Sequence, residues 1–298
     1  MKRIIIMAML IAFSMSANAI SYDTSYRSGR NYDKAMFRMW HADTARQLKA
    51  WLVLMPGSNS DGRPEVDDPQ WQAFAAKNQL ALVGCYFTDK PHEFMMAEEY
   101  MYVPAGSGDT LLKALRQLAV KSGHPALANA PMLLWGMSAG GQFNYEMACW
   151  KPNRIIGFVV NKGGFYYTAM SPVATRNVPA LFFTGEKDME YRSTVVKGVY
   201  ALNRRIGACW AWAQETGIGH DVGRSKEMAL QWFDAILRTR FANGQLQPIN
   251  QQQGYIGLQP SLNIEPAESW KKTDQFISSW LPNKALADLW QSVQQPSK

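Results

Sequence analysis

Cysteine and histidine are scarce, with three and four copies in 298 residues, and their placement excludes several chemistries. Cys85, Cys149 and Cys209 each sit in apolar surroundings, as buried small hydrophobes do. None occupies an exposed turn, which argues against a cysteine nucleophile. At most one disulfide can form among the three, and the pairing is left open. His41, His92, His124 and His220 are far apart, and no paired-histidine or paired-cysteine spacing occurs, so no metal site and no cofactor is expected. Charged residues make up 18% of the chain and the net charge is +7. That charge is scattered, its densest spots being isolated pairs such as Arg204-Arg205. A basic block with interleaved aromatics is lacking, which excludes a nucleic-acid partner. Internal repeats are also lacking.

The apolar run from Ile4 to Phe13 falls short of the roughly 20 residues a membrane-spanning helix needs, so stable membrane insertion is not expected. It lies between a basic start, Lys2-Arg3, and the small residues Ala17-Asn18-Ala19. This is the pattern of a secretory signal peptide over residues 1–19. It predicts export, to the periplasm or the medium, with cleavage near Ala19. The remainder is long enough for one large domain with a sizeable core.

From about Trp40 the chain alternates strand-like and helix-like segments, the signature of an α/β fold with a mostly parallel sheet covered by helices on both faces. Strands are predicted at Lys49 to Met55, Leu80 to Phe87, Met132 to Trp135, Ile155 to Val160, Pro179 to Thr184 and Cys209 to Gln214. Helices are predicted after Asp68-Pro69, from about Leu111 to Ala119 with Asp109 at the start, and from Gly141 to Trp150. Two more are predicted around Thr194 to Ile206 and along the stripe Met228 to Leu237. Thr88 to Gly108, with Met95, Met96, Tyr100 and Tyr102, reads as a long connection. Residues 20–243 form the predicted α/β domain. A glutamine-rich stretch from Asn243 to Tyr255 leads into residues 244–298, an appendage packed on that domain. Its hydrophobics include Trp270, Phe276, Ile277, Trp280, Leu281 and Trp290.

The densest signal is Gly136-Met137-Ser138-Ala139-Gly140, set between an apolar strand and a helix. A serine between two glycines at such a corner is a nucleophile elbow, which holds the hydroxyl out at the top of a sheet. A serine hydroxyl needs a base, and the base needs an orienting acid. In this architecture acid and then histidine follow the serine. Only His220 follows Ser138, in the glycine-rich turn Thr216 to Asp221. Asp188 closes the turn after the Pro179 to Thr184 strand and is the predicted acid, with Glu186 as competitor. Asp221, beside the histidine, is read as a surface or capping residue. For the oxyanion, backbone N–H groups of Ala139 and of Ser58, in Pro56-Gly57-Ser58-Asn59, are the predicted donors. Phe165, Tyr166 and Tyr167 could wall a substrate pocket. His92 is left open between a substrate contact and a solvated loop residue.

Taken in this order and between these strands, the elbow, Asp188, His220 and the Pro56-Gly57-Ser58 loop resemble the α/β-hydrolase superfamily over about Lys49 to Phe241. Gly141-Gln142-Phe143 after the elbow, with the export signal, is similar to secreted esterases related to polyhydroxyalkanoate depolymerases and feruloyl or acetylxylan esterases. Those groups usually carry a His-Gly pair where this chain has Pro56-Gly57. The resemblance implies an exported serine hydrolase acting on a small-molecule or polymer-borne carboxylic ester. A serine peptidase, or a non-catalytic binding protein of the same fold, are the alternatives.

Overall fold

Eight strands form the central sheet: β1 (Ile20–Tyr26), β2 (Lys34–His41), β3 (Ala50–Met55), β4 (Leu80–Thr88), β5 (Met132–Met137), β6 (Ile155–Asn161), β7 (Ala180–Gly185) and β8 (Trp210–Glu215). Their spatial order is β1-β2-β4-β3-β5-β6-β7-β8. β2 is antiparallel to both neighbours, and every pairing from β4 to β8 is parallel. The computed structural model describes residues 20–44, 47–93, 97–242, 244–270 and 278–296. The leader proposed at 1–19, together with Met95, Met96, Phe276 and Ile277, lies outside the described residues.

Successive side chains of a strand point to opposite faces, and here both faces are buried. Trp51, Val53 and Met55 of β3 enter one core, while Ala50, Leu52 and Leu54 enter the other. This accounts for strands that are apolar along their whole length. The first core is covered by α2 (Ser107–Lys121), α3 (Ala139–Trp150), the single turn α4 (Val173–Arg176) and α5 (Glu190–Arg205). The second is covered by α1 (Pro69–Asn78) and α6 (Ser225–Arg240). Asp68 caps α1 by accepting from the N–H groups of Gln70 and Trp71 at 2.9 and 3.1 Å, so the chain turns into the helix where Asp68-Pro69 predicts.

The structure differs from the sequence reading at both chain ends and at two helix starts. The β1–β2 hairpin is additional; its strands carry polar residues such as Asp23 and Arg38, paired across the ladder at 2.9 Å, so they lack a long apolar run. The helix α3 begins at Ala139, not Gly141, because the elbow passes straight into it, and α5 begins at Glu190, four residues before Thr194. The C-terminal residues form a second, antiparallel sheet of β9 (Tyr255–Leu258), β10 (Ile264–Pro266) and β11 (Ser278–Leu281), followed by α7 (Lys284–Ser292). This unit covers the free edge of β8. Ser279 Oγ accepts from Trp212 N–H at 3.0 Å, and Trp290 Nε1 donates to Trp212 C=O at 2.7 Å. An edge strand left open would template pairing with another chain.

Candidate active site

The sheet order reverses at β3: β4 lies on one side of it and β5 on the other. In open α/β sheets such a reversal leaves a crevice beyond the carboxyl ends of the strands. Ser138, directly after β5, and Ser58, after β3, both stand there. Ser138 has φ 53° and ψ −120°, a region L-residues rarely occupy, costing on the order of 1–3 kcal/mol. Close packing enforces it. A Cβ on Gly140 would lie 2.1 Å from Met55 C=O, and one on Gly136 would lie 2.4 Å from the Gly140 backbone. The Ser138 N–H donates to Asn161 C=O at 2.7 Å, tying the elbow to the end of β6.

His220 is 82 positions further along the chain, yet its Nε2 lies 3.0 Å from Ser138 Oγ. On the other side of the ring, Nδ1 lies 2.8 Å from Asp188 Oδ2. The second Asp188 oxygen accepts from Met189 N–H at 2.8 Å, which fixes the carboxylate. The Asp188 side chain is 3% exposed and that of His220 35%, so the acid is shielded while the imidazole is open to an incoming molecule. Such a row can move a proton from the hydroxyl to the ring and hold the resulting imidazolium beside a carboxylate. Glu186 instead accepts from Gly217 N–H at 2.6 Å and holds the base of the His220 turn. Asp221 accepts from Val222 N–H at 2.5 Å and caps that turn.

The N–H groups of Ser58 and Ala139 bond to no protein group among the described residues. Ala139 opens α3, where the helix dipole favours negative charge. A Cβ on Gly57 would be 3.8 Å from Ser138 Cβ, which places the Ser58 loop beside the hydroxyl. That loop is anchored from behind. Asn59 Oδ1 accepts from Asp89 N–H at 2.7 Å, and Asp89 accepts from Glu99 N–H at 2.9 Å and faces His92 Nε2 at 2.6 Å. His92 is therefore not a solvated loop residue but a half-buried partner of Asp89 that braces the loop.

Beside Ser138 opens a cleft of about 290 Å³, lined among others by Ser58, Glu98, Gln142, Phe165 and Arg192. Of the three aromatics proposed as its wall, only Phe165 lines it. Tyr166 is a correction: its ring packs edge-on against Tyr145 at 5.0 Å and its buried hydroxyl points at Gly163, so burial pushes the phenol pKa well up. Tyr167 stands behind the wall, against Phe165 at 5.6 Å and Tyr102 at 4.9 Å. The wall is pinned from α3. Gln142 Oε1 accepts from Gly164 N–H at 3.0 Å, and Glu146 accepts from Tyr167 N–H and from Thr168 N–H and Oγ1 at 2.7–2.9 Å. Burial holds the Glu146 carboxyl above its ordinary range, although these three donors oppose the shift.

Two site residues escape the sequence reading. Lys162 Nζ and Glu215 form an ion pair beneath the His220 turn, with side chains 0% and 1% exposed. Lys162 also donates to Asn161 Oδ1 at 3.0 Å, and Glu215 accepts from Arg224 N–H at 2.5 Å. Burial lowers the Lys162 pKa, and Glu215 opposes that shift. The available signal was a charged residue at the carboxyl end of each of two apolar strands.

All three cysteines are free thiols. Burial raises each above its ordinary pKa, Cys209 to about 12. Among the described residues no cluster of three His, Cys, Asp or Glu could hold a metal ion, and no helix is long and apolar enough to cross a membrane.

No protein-family model matches the chain, and no curated protein matches its sequence. Solved structures do resemble it. The poly(3-hydroxybutyrate) depolymerase LpqC from Bordetella parapertussis superposes with a TM-score of 0.52 at 16% identity, over 77% of this chain and 90% of that one. An S-formylglutathione hydrolase from Agrobacterium tumefaciens gives 0.55 at 9% identity, over 75% and 96%. Identities this low speak for architecture alone. With that likeness, the strand order and the reversal at β3, the chain has the α/β-hydrolase fold.

Proposed function

We propose that this protein is an exported serine hydrolase that cleaves carboxylic esters through an acyl-enzyme intermediate. The observation that carries the reading is the unbroken row Ser138 Oγ, His220 and Asp188, starting from a serine held in a strained elbow. The export part rests on the leader pattern at residues 1–19. The names of the two similar structures, a depolymerase and a hydrolase, agree with a hydrolytic role.

Ser138 Oγ gives its proton to His220 Nε2 as it attacks the ester carbonyl carbon, and Asp188 holds the imidazolium that forms. The carbonyl oxygen becomes an oxyanion, received by the N–H groups of Ala139 and Ser58. Losing one such donor typically costs about 3–4 kcal/mol of transition-state stabilisation. His220 then returns the proton to the departing alcohol, leaving the acyl group on Ser138. Water, deprotonated by His220, releases the acid and restores the hydroxyl.

The test is turnover of p-nitrophenyl acetate by the protein and by Ser138→Ala. The reading expects hydrolysis that disappears in the variant while its circular dichroism is unchanged. Hydrolysis that persists in Ser138→Ala contradicts it, and a folded protein inert on a broad ester panel favours a binding role.

A further inference from the structure

We propose that Arg192 is an anion-recognition residue, and that the preferred substrates are esters whose acyl chain ends in a carboxylate. Arg192 lies in the first turn of α5 and lines the same cleft as Ser138. Its guanidinium has no carboxylate within ion-pair distance among the described residues. It is nevertheless held in place: a Cβ on Gly164 would meet its Cγ at 2.8 Å and a guanidinium nitrogen at 3.1 Å, and its charge sits 5.5 Å from the Tyr191 ring. Gly164 is itself fixed by Gln142, whose N–H donates to Ser138 C=O at 3.1 Å. A short chain of direct contacts therefore runs from the nucleophile to the cation. A half-buried guanidinium with no carboxylate partner among the described residues is a ready receptor for a bidentate carboxylate.

The proposal places the acyl group of the substrate in this cleft. A departing alcohol must reach His220 Nε2, yet no residue of the 216–221 turn lines this cleft, whereas Ser58 of the oxyanion loop does. Its volume of about 290 Å³ lies at the small end of ligand sites, which suits a short acyl chain. Phe165 and Val195 supply apolar wall for the methylenes, and Arg192 meets the terminal charge. Glu98 also lines the cleft and is the competing charge, suited to an ammonium instead.

This inference rests on the hydrolase reading for the direction of the substrate, and the experiment separates the two. Three ethyl esters of four-carbon acids share one alcohol: monoethyl succinate, ethyl butyrate and ethyl 4-aminobutyrate. With turnover followed by acid release, kcat/KM for monoethyl succinate should exceed that for ethyl butyrate roughly 10- to 100-fold, the range of a charge-assisted hydrogen bond. Arg192→Gln should abolish that ratio, and Arg192→Glu should turn it toward the aminobutyrate. Independently of turnover, Ser138→Ala protein should bind monoethyl succinate saturably by calorimetry, and Ser138→Ala with Arg192→Gln should not. Binding of that kind without any hydrolysis would sink the hydrolase reading and leave the Arg192 assignment standing. The assignment is overturned by absence of both preference and binding, by a preference that survives Arg192→Gln, or by a wild-type preference for the aminobutyrate, which would place recognition on Glu98.

Discussion

Lys162 and Glu215 meet in the interior, at the carboxyl ends of β6 and β8 with β7 between them, directly under the turn that carries His220. Neither side chain reaches solvent, and each is bonded onward, Lys162 to Asn161 and Glu215 to Arg224 N–H. Asn161 in turn accepts the Ser138 N–H, so elbow and histidine turn share one buried polar support. Removing one partner strands the other charge, which costs about 3–5 kcal/mol. Lys162→Met and Glu215→Leu should each lower stability by that amount in denaturant unfolding. The double variant should lose less than the sum of the two, because no unpaired charge remains.

Gly140 packs where no side chain fits, a Cβ falling 2.1 Å from Met55 C=O. Gly140→Ala forces α3 and β3 apart and should cost about 3 kcal/mol or more, beyond the usual range for overpacking by one methyl. Thermal unfolding should show a lowered Tm, with ester hydrolysis lost to the same displacement of Ser138.

Asp188→Asn keeps the side-chain shape but can no longer stabilise an imidazolium or enforce the correct ring tautomer. Its kcat should fall about 10³- to 10⁴-fold with little change in KM. Glu186→Gln, which preserves an acceptor for Gly217 N–H, should cost far less. Steady-state kinetics on one ester decides which of the two acids serves His220.

Glu65 is half-buried near Trp71, and burial pushes its carboxyl from 4.5 up to about 7, with nearby Lys226 opposing the shift. The folded state thus holds this proton more tightly than the unfolded chain. Folding takes up a proton between those two values, so this stabilisation is complete below the unfolded pKa and is lost as pH rises through the folded one. The loss is on the order of 3 kcal/mol. Glu65→Gln should therefore flatten the stability difference between about pH 5 and about pH 8 in urea unfolding.

The parts of this molecule that show in its sequence are those encoded locally. β5, the elbow and α3 form one continuous segment whose apolar run, paired glycines and helix period act over a few residues, and Asp68-Pro69 fixes α1 in the same way. The carboxyl-end turns of β7 and β8 put Asp188 and His220 within reach because parallel strands bring successive turns to one end. What did not show depends on which way a side chain turns. Nothing local separates Phe165, which lines the cleft, from Tyr166, which packs on Tyr145. Lys162 and Glu215 look like ordinary charges at strand ends until the sheet sets them together. The β1–β2 hairpin and the β9–β11 sheet lie at or beside edges, where polar residues dilute the alternation that marks a central strand.

The most direct test is to treat the protein with a fluorophosphonate and map the modified residue by peptide mass spectrometry. A single phosphonyl adduct on Ser138, absent from His220→Ala, is the predicted result. An adduct on another residue, or none on a folded protein, would contradict the assignment of Ser138 as a nucleophile activated by His220.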